Sequence, residues 1–91
     1  DWSNYAKVEA AIEEVFRRGV RNLVVNLADA QYISSAGFGC FIQTVDQAMQ
    51  EGGKVVFAGT PPHILEVFGM LGLSKILHLA DSVQEGLEAI R

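Results

Sequence analysis

Two short, almost wholly apolar runs constrain this chain more than any other feature. Leu23–Leu27 carries two valines with Asn26 as its only polar interruption, and Lys54–Ala58 is its counterpart further on. Runs this short, apolar at consecutive rather than alternate positions, read as strands covered on both faces, as in a parallel sheet. Between them, Phe38, Phe41, Ile42, Val45, Ala48 and Met49 recur at steps of three and four. That spacing predicts a helix from Ala36 to Gln50, stopped by Gly52 and Gly53. A strand, a helix and a second parallel strand require a right-handed crossover.

The flanking segments extend the same alternation. Tyr5, Val8, Ile12, Val15 and Phe16 form one apolar stripe, predicting a helix from about Ser3 to Arg18 that Gly19 closes. After Ala58, Gly59-Thr60-Pro61-Pro62 is a loop whose second proline suits the first turn of a helix, with Ile64, Leu65, Phe68 and Leu71 as its inner face. Ile76–Leu79 is a short strand candidate. Ser82 and Glu85 form a capping box for a last helix, buried through Val83, Leu87 and Ile90. The fold class is therefore α/β, a mostly parallel sheet covered by helices, in a single domain over residues 1–91. Three strands are few for four helices, because so narrow a sheet leaves an edge and part of a face without a neighbour. The expectation is that further strands precede Asp1, and that the apolar surface they would cover is exposed or met by another chain, such as a second copy in a homodimer.

Composition excludes several classes of function. Eleven acidic against seven basic residues give a net charge of −4, which argues against a nucleic-acid surface, where phosphates require clustered cations. The one basic cluster, Arg17, Arg18 and Arg21, falls near the end of the first helix, where cations complement the macrodipole. A single cysteine, Cys40, permits no intrachain disulfide and reads as a small buried filler, in keeping with a reducing compartment. No apolar stretch approaches the ~20 residues of a membrane span. The single cysteine and two distant histidines have no metal-site spacing, and the glycines fit neither a Walker loop nor a dinucleotide fingerprint, so no cofactor is expected.

In sheets of this kind ligands and partners meet the loops leaving the carboxyl ends of the strands. The first such loop, Ala28 to Gly37, ends Ile33-Ser34-Ser35-Ala36-Gly37 as the central helix begins, placing a hydroxyl at a helix N-terminus. On spacing alone, either serine could be an N-cap worth ~1 kcal/mol. A nucleophile elbow is the other reading, but it needs glycine two residues before the serine, where this chain has Ile33. His63, behind two prolines on a helix's first turn, and His78, in a short apolar strand, are weak candidates for a base.

Here the chain resembles a known family. Asn26-Leu27 followed by Tyr32-Ile33-Ser34-Ser35-Ala36-Gly37-Phe38-Gly39 looks like the signature of STAS domains in bacterial anti-sigma factor antagonists. Gly52-Gly53-Lys54, Val67-Phe68 with Gly72-Leu73, and Ser82 fall where that family has similar residues, and Asp1 and Ala6 resemble its first helix entrance. The resemblance implies a STAS-like fold lacking the family's first two strands. It also implies that Ser35 is phosphorylated by a partner that is both serine kinase and anti-sigma factor. The unmodified chain would bind that partner and release a sigma factor, and a phosphatase would reset the switch. Many members carry aspartate immediately before the modified serine, where this chain has Ser34.

The same resemblance implies a cytoplasmic binding module and not an enzyme, with Ser34 as the better pure cap and Ala36 and Gly37 as neighbouring loop positions. Phe38, Met70 or Ile33 would form the apolar centre of the partner surface, the other reading of Met70, with Phe68 and Leu71, being helix core and cap contact. The competing role keeps the fold but changes the system: an adaptor domain of an anion transporter, a lipid-trafficking complex or a stress-signalling assembly.

Overall fold

The computed structural model describes residues 5–91, with side chains from Lys7 onward. The expected helix start at Ser3, the apolar contact of Tyr5 and the family-like Asp1 and Ala6 side chains lie outside the described residues. The elements are α1 (Tyr5–Arg17), β1 (Asn22–Asn26), α2 (Ser35–Gln50), β2 (Lys54–Ala58), α3 (Pro62–Met70), a 3-10 turn at Leu73–Lys75, β3 (His78–Ala80) and α4 (Val83–Ala89). The three strands form one parallel sheet in the order β1-β2-β3. Asn22 pairs with Lys54 through to Asn26 with Ala58, and Val56 pairs with His78. This is the expected α/β class.

Strand parity sorts the helices between the two faces. Val25, Val55 and Phe57 belong to one buried cluster with Phe16 of α1, Phe41, Val45 and Ala48 of α2, and Ile64 and Phe68 of α3. Its centre is aromatic. The Phe57 ring lies 5.0 Å from Phe41 and 6.4 Å from Phe68, centroid to centroid. Phe38 meets Phe68 edge-on at 5.6 Å. Each fully buried side chain of this size stabilises the fold by about 1.5–3 kcal/mol.

Val24 and Val56 point to the opposite face, where α4 lies with its one buried residue, Gly86. A Cβ on Gly86 would stand 3.0 Å from Val24 Cγ1 and 3.5 Å from Val56 Cγ1, so α4 approaches through bare backbone. This corrects the expectation that Val83 and Leu87 bury the last helix: they are 37% and 54% exposed, and Ile90 is half-buried. Close contact at Gly86 turns that side of the helix to the sheet and leaves its neighbours on the flanks. In α3, likewise, Ile64 and Phe68 are buried whereas Leu65 and Leu71 are exposed, because nine residues offer one i, i+4 stripe.

The third strand starts later than Ile76. The amides of Ile76 and Leu77 both donate to Leu73 O, at 2.9 and 2.8 Å, so the chain is still turning there and extends only from His78. Among the described residues β1 has a strand neighbour on one side only. A groove of about 410 Å³ opens between it and α1, lined by Val8, Ile12, Val15, Leu23 and Val25 among others.

Arg21 links α1 to the sheet end. Its Nη1 donates to Phe16 O at 2.7 Å and Val20 O at 2.9 Å, its guanidinium lies 5.5 Å from the Phe16 ring centroid, and Nη2 pairs with Glu51 at 2.7 Å. Arg17 instead pairs with Glu14 on its own helix.

Candidate functional site

The segment between β1 and α2 is fastened at its root by backbone. Leu27 N donates to Ala58 O at 2.9 Å, and the Asn26 carboxamide oxygen accepts from Ala28 N at 3.0 Å, turning the chain out of the strand. Ala30 N returns to Leu27 O at 3.0 Å. Two side chains then anchor the loop to the core, Ala30 at 3% exposure and Ile33 at 6%. Between these anchors Gln31 and Tyr32 face solvent, Tyr32 at 63%.

The two serines are treated differently by the fold. Ser34 is the N-cap of α2: its backbone is extended (φ −72°, ψ 163°), and its Oγ accepts from Gly37 N at 3.1 Å. Ser34 O accepts from Phe38 N at 3.0 Å, closing the first turn. Ser35 is the first helical residue and is exposed, and among the described residues nothing is hydrogen-bonded to its hydroxyl. Ala36 beside it is exposed and Gly37 buried. The first turn of α2 carries no acidic side chain. The site therefore offers an accessible hydroxyl at the positive end of a sixteen-residue helix, with no carboxylate in that turn to repel an anion.

The three apolar residues expected on a partner surface separate. Ile33 is in the core and not on the surface: it precedes the N-cap, where an apolar side chain turns inward, and it belongs to the cluster against which the fourth helical residue, Phe38, packs. Phe38 is half-buried and meets Phe41 and Phe68 edge-on. Met70 is 78% exposed at the far end of α3, followed by Leu71 at 57%. It lies seven residues past His63, about 10 Å along the helix.

His63, by sequence a weak candidate for a base, makes a different contact. Its Nε2 lies 2.9 Å from Gln31 O, and since a carbonyl only accepts, the ring nitrogen is the donor. Its place on the first turn after Pro61-Pro62 was readable, but a partner thirty-two residues away was not. His78 is exposed on β3. Cys40 is 6% exposed, and burial pushes its thiol up from the usual 9.0, against the lowering effect of the Thr44 hydrogen bond. A thiol so placed is a packing group rather than a nucleophile. Among the described residues no three His, Cys, Asp or Glu side chains are grouped to hold a metal ion, and no helix is long and apolar enough to cross a membrane.

The sequence model of the STAS domain matches residues 1–86. BtrV of Bordetella bronchiseptica, named as a candidate anti-sigma factor antagonist, is 30% identical over 89 residues, covering 98% of this chain and 77% of that protein. The anti-sigma-B factor antagonist of Staphylococcus aureus is 28% identical over 82 residues, covering 90% and 72%. In three dimensions the chain is similar to a candidate anti-sigma factor antagonist from Thermotoga maritima, with a TM-score of 0.89 at 19% identity, over 98% of this chain and 77% of that one.

Proposed function

The chain belongs to the STAS domain family, and on that premise we propose that it is an anti-sigma factor antagonist switched by phosphorylation of Ser35. Unmodified, it binds an anti-sigma factor that is also a serine kinase and so releases a sigma factor. The phosphorylated form lets go, and a phosphatase restores binding. The chain acts as a cytoplasmic binding module and catalyses no reaction of its own.

One observation carries this reading: Ser34 caps α2 through its own hydroxyl while its neighbour Ser35 stands exposed on the first turn. A phosphate on Ser35 adds about −1.5 to −2 charges and three acceptor oxygens. Within the domain this is tolerated, because backbone amides and the dipole at that end favour an anion by ~0.3–1 kcal/mol. The partner bears the effect. A dianion brought into a complementary interface without a matching cation costs several kcal/mol in desolvation and repulsion, on the order of 10²-fold or more in affinity. The modification thus abolishes binding and leaves the fold in place.

Incubation of the protein with candidate anti-sigma kinases and ATP, followed by mass-spectrometric localisation of phosphate, tests the proposal. Phosphate on Ser35 is expected. Phosphate on another residue, or none with a kinase that binds the chain, sinks it.

A further inference from the structure

We infer that His63 is a positioning residue for Ser35: by donating from its ring to the Gln31 carbonyl, it fixes the loop that presents the hydroxyl. The inference rests on the switch reading above and names a residue of that site outside the loop itself.

Exposed backbone between two buried anchors is ordinarily the mobile part of a loop. Here Gln31 and Tyr32 are that part, held between Ala30 and Ile33. The bond from His63 Nε2 to Gln31 O, at 2.9 Å, ties this stretch to α3. The donor is itself held firmly. Pro61 (φ −61°, ψ 151°) precedes the helix, and Pro62 locks its first turn. Pro61 O accepts from Ile64 N and Leu65 N at 3.0 and 2.9 Å, and Ile64, next to His63, is 3% exposed. The imidazole therefore projects from a turn with little freedom of its own.

The same helix also braces the other side of Ser35, through the edge-on contact of Phe68 with Phe38. Gln31 lies four residues before the serine and Phe38 three after, so α3 touches both flanks of the segment that carries it. The aromatic contact tolerates sliding; the hydrogen bond specifies direction.

Without the tie, the loop spends less time in the arrangement a kinase must engage, and the apparent specificity constant falls by that fraction. For one exposed hydrogen bond the expected loss is about threefold to tenfold. A purely structural role would instead lower thermal stability and leave the rate unchanged.

The test uses the full chain as wild type, His63→Ala and His63→Gln, with the kinase that modifies wild type and ATP. Initial rates of phosphate incorporation at Ser35 are read alongside thermal midpoints and amide exchange at Tyr32 and Ile33. His63→Ala should slow kcat/KM about threefold to tenfold and speed exchange at those amides, with a midpoint close to wild type. Glutamine retains an N–H donor of similar reach, so His63→Gln should recover most of the rate and the protection. Equal rates for wild type and His63→Ala, or a glutamine variant as slow as alanine, overturn the inference alone. A wild-type chain that takes no phosphate at Ser35 overturns the switch reading on which it rests.

Discussion

The Oγ of Ser34 accepts from the amide of Gly37 at 3.1 Å, and this bond assigns different work to two adjacent, chemically identical side chains. Removing the Ser34 hydroxyl leaves an amide at the start of α2 without its acceptor, whereas removing that of Ser35 breaks no hydrogen bond among the described residues. Ser34→Ala should cost about 1 kcal/mol, and Ser35→Ala should leave the denaturation midpoint within about 0.5 kcal/mol of wild type. Under the proposed switch the order should reverse in partner binding. Ser35→Asp should weaken affinity for the anti-sigma factor while Ser35→Ala preserves it; chemical denaturation and a binding titration on the same variants separate the two effects.

At Gly86 the competing effects have opposite signs. Alanine gains about 1 kcal/mol of helix propensity, but its Cβ would press on Val24 Cγ1 at 3.0 Å. Val24 is only half-buried, so its side chain can shift by the small distance required. Gly86→Ala should therefore fall within about 1 kcal/mol of wild type, whereas Gly86→Leu should destabilise by about 1–3 kcal/mol by prising α4 from the sheet. Equal midpoints for the two variants would show that α4 does not pack through that backbone.

Cys40 predicts a pH dependence. Burial, the largest influence, raises its thiol above 9.0, and Glu9 and Glu13 add to the rise against the Thr44 hydrogen bond. A group whose folded value is raised contributes stability that is complete below the unfolded value and lost as the pH climbs past it toward the folded value. The advantage of wild type over Cys40→Ala should therefore be constant from pH 7 to 8 and shrink above pH 9. Thermal melts of both proteins across that range provide the check.

Arg21 and Glu51 are suited to a double-mutant cycle. Their ion pair at 2.7 Å joins side chains about one-third exposed, which limits the coupling to about 0.3–1 kcal/mol and makes it salt-sensitive. Arg21→Ala alone should cost more than Glu51→Ala, because it also removes the bond to Phe16 O and the guanidinium over the Phe16 ring. Equal single-variant losses would contradict that division.

The strands and the loop were legible because their signals are local. Consecutive apolar residues in Leu23–Leu27 and Lys54–Ala58 mark buried strands, and serine pairs before a helical period mark a capped start. The packing of α4 was not legible, since its contact residue is a glycine, which contributes nothing to hydrophobic periodicity. Ile33 misled for a different reason. An apolar residue beside a surface loop serves equally as a staple or as a docking contact, and only its 6% exposure decides. The tie between His63 and Gln31 joins residues far apart in sequence, and no local pattern encodes it.

The outer rim of β1 has a consequence for the handling of the 91-residue chain. Among the described residues this five-residue strand has a strand neighbour on one side only, and its other side, next to an apolar trough, has no strand partner. Such a rim is adhesive toward any extended polypeptide that comes alongside. Concentrated stocks should therefore drift toward oligomers through sheet extension, and blocking that rim with a charged substitution at Asn22 should keep the material dispersed.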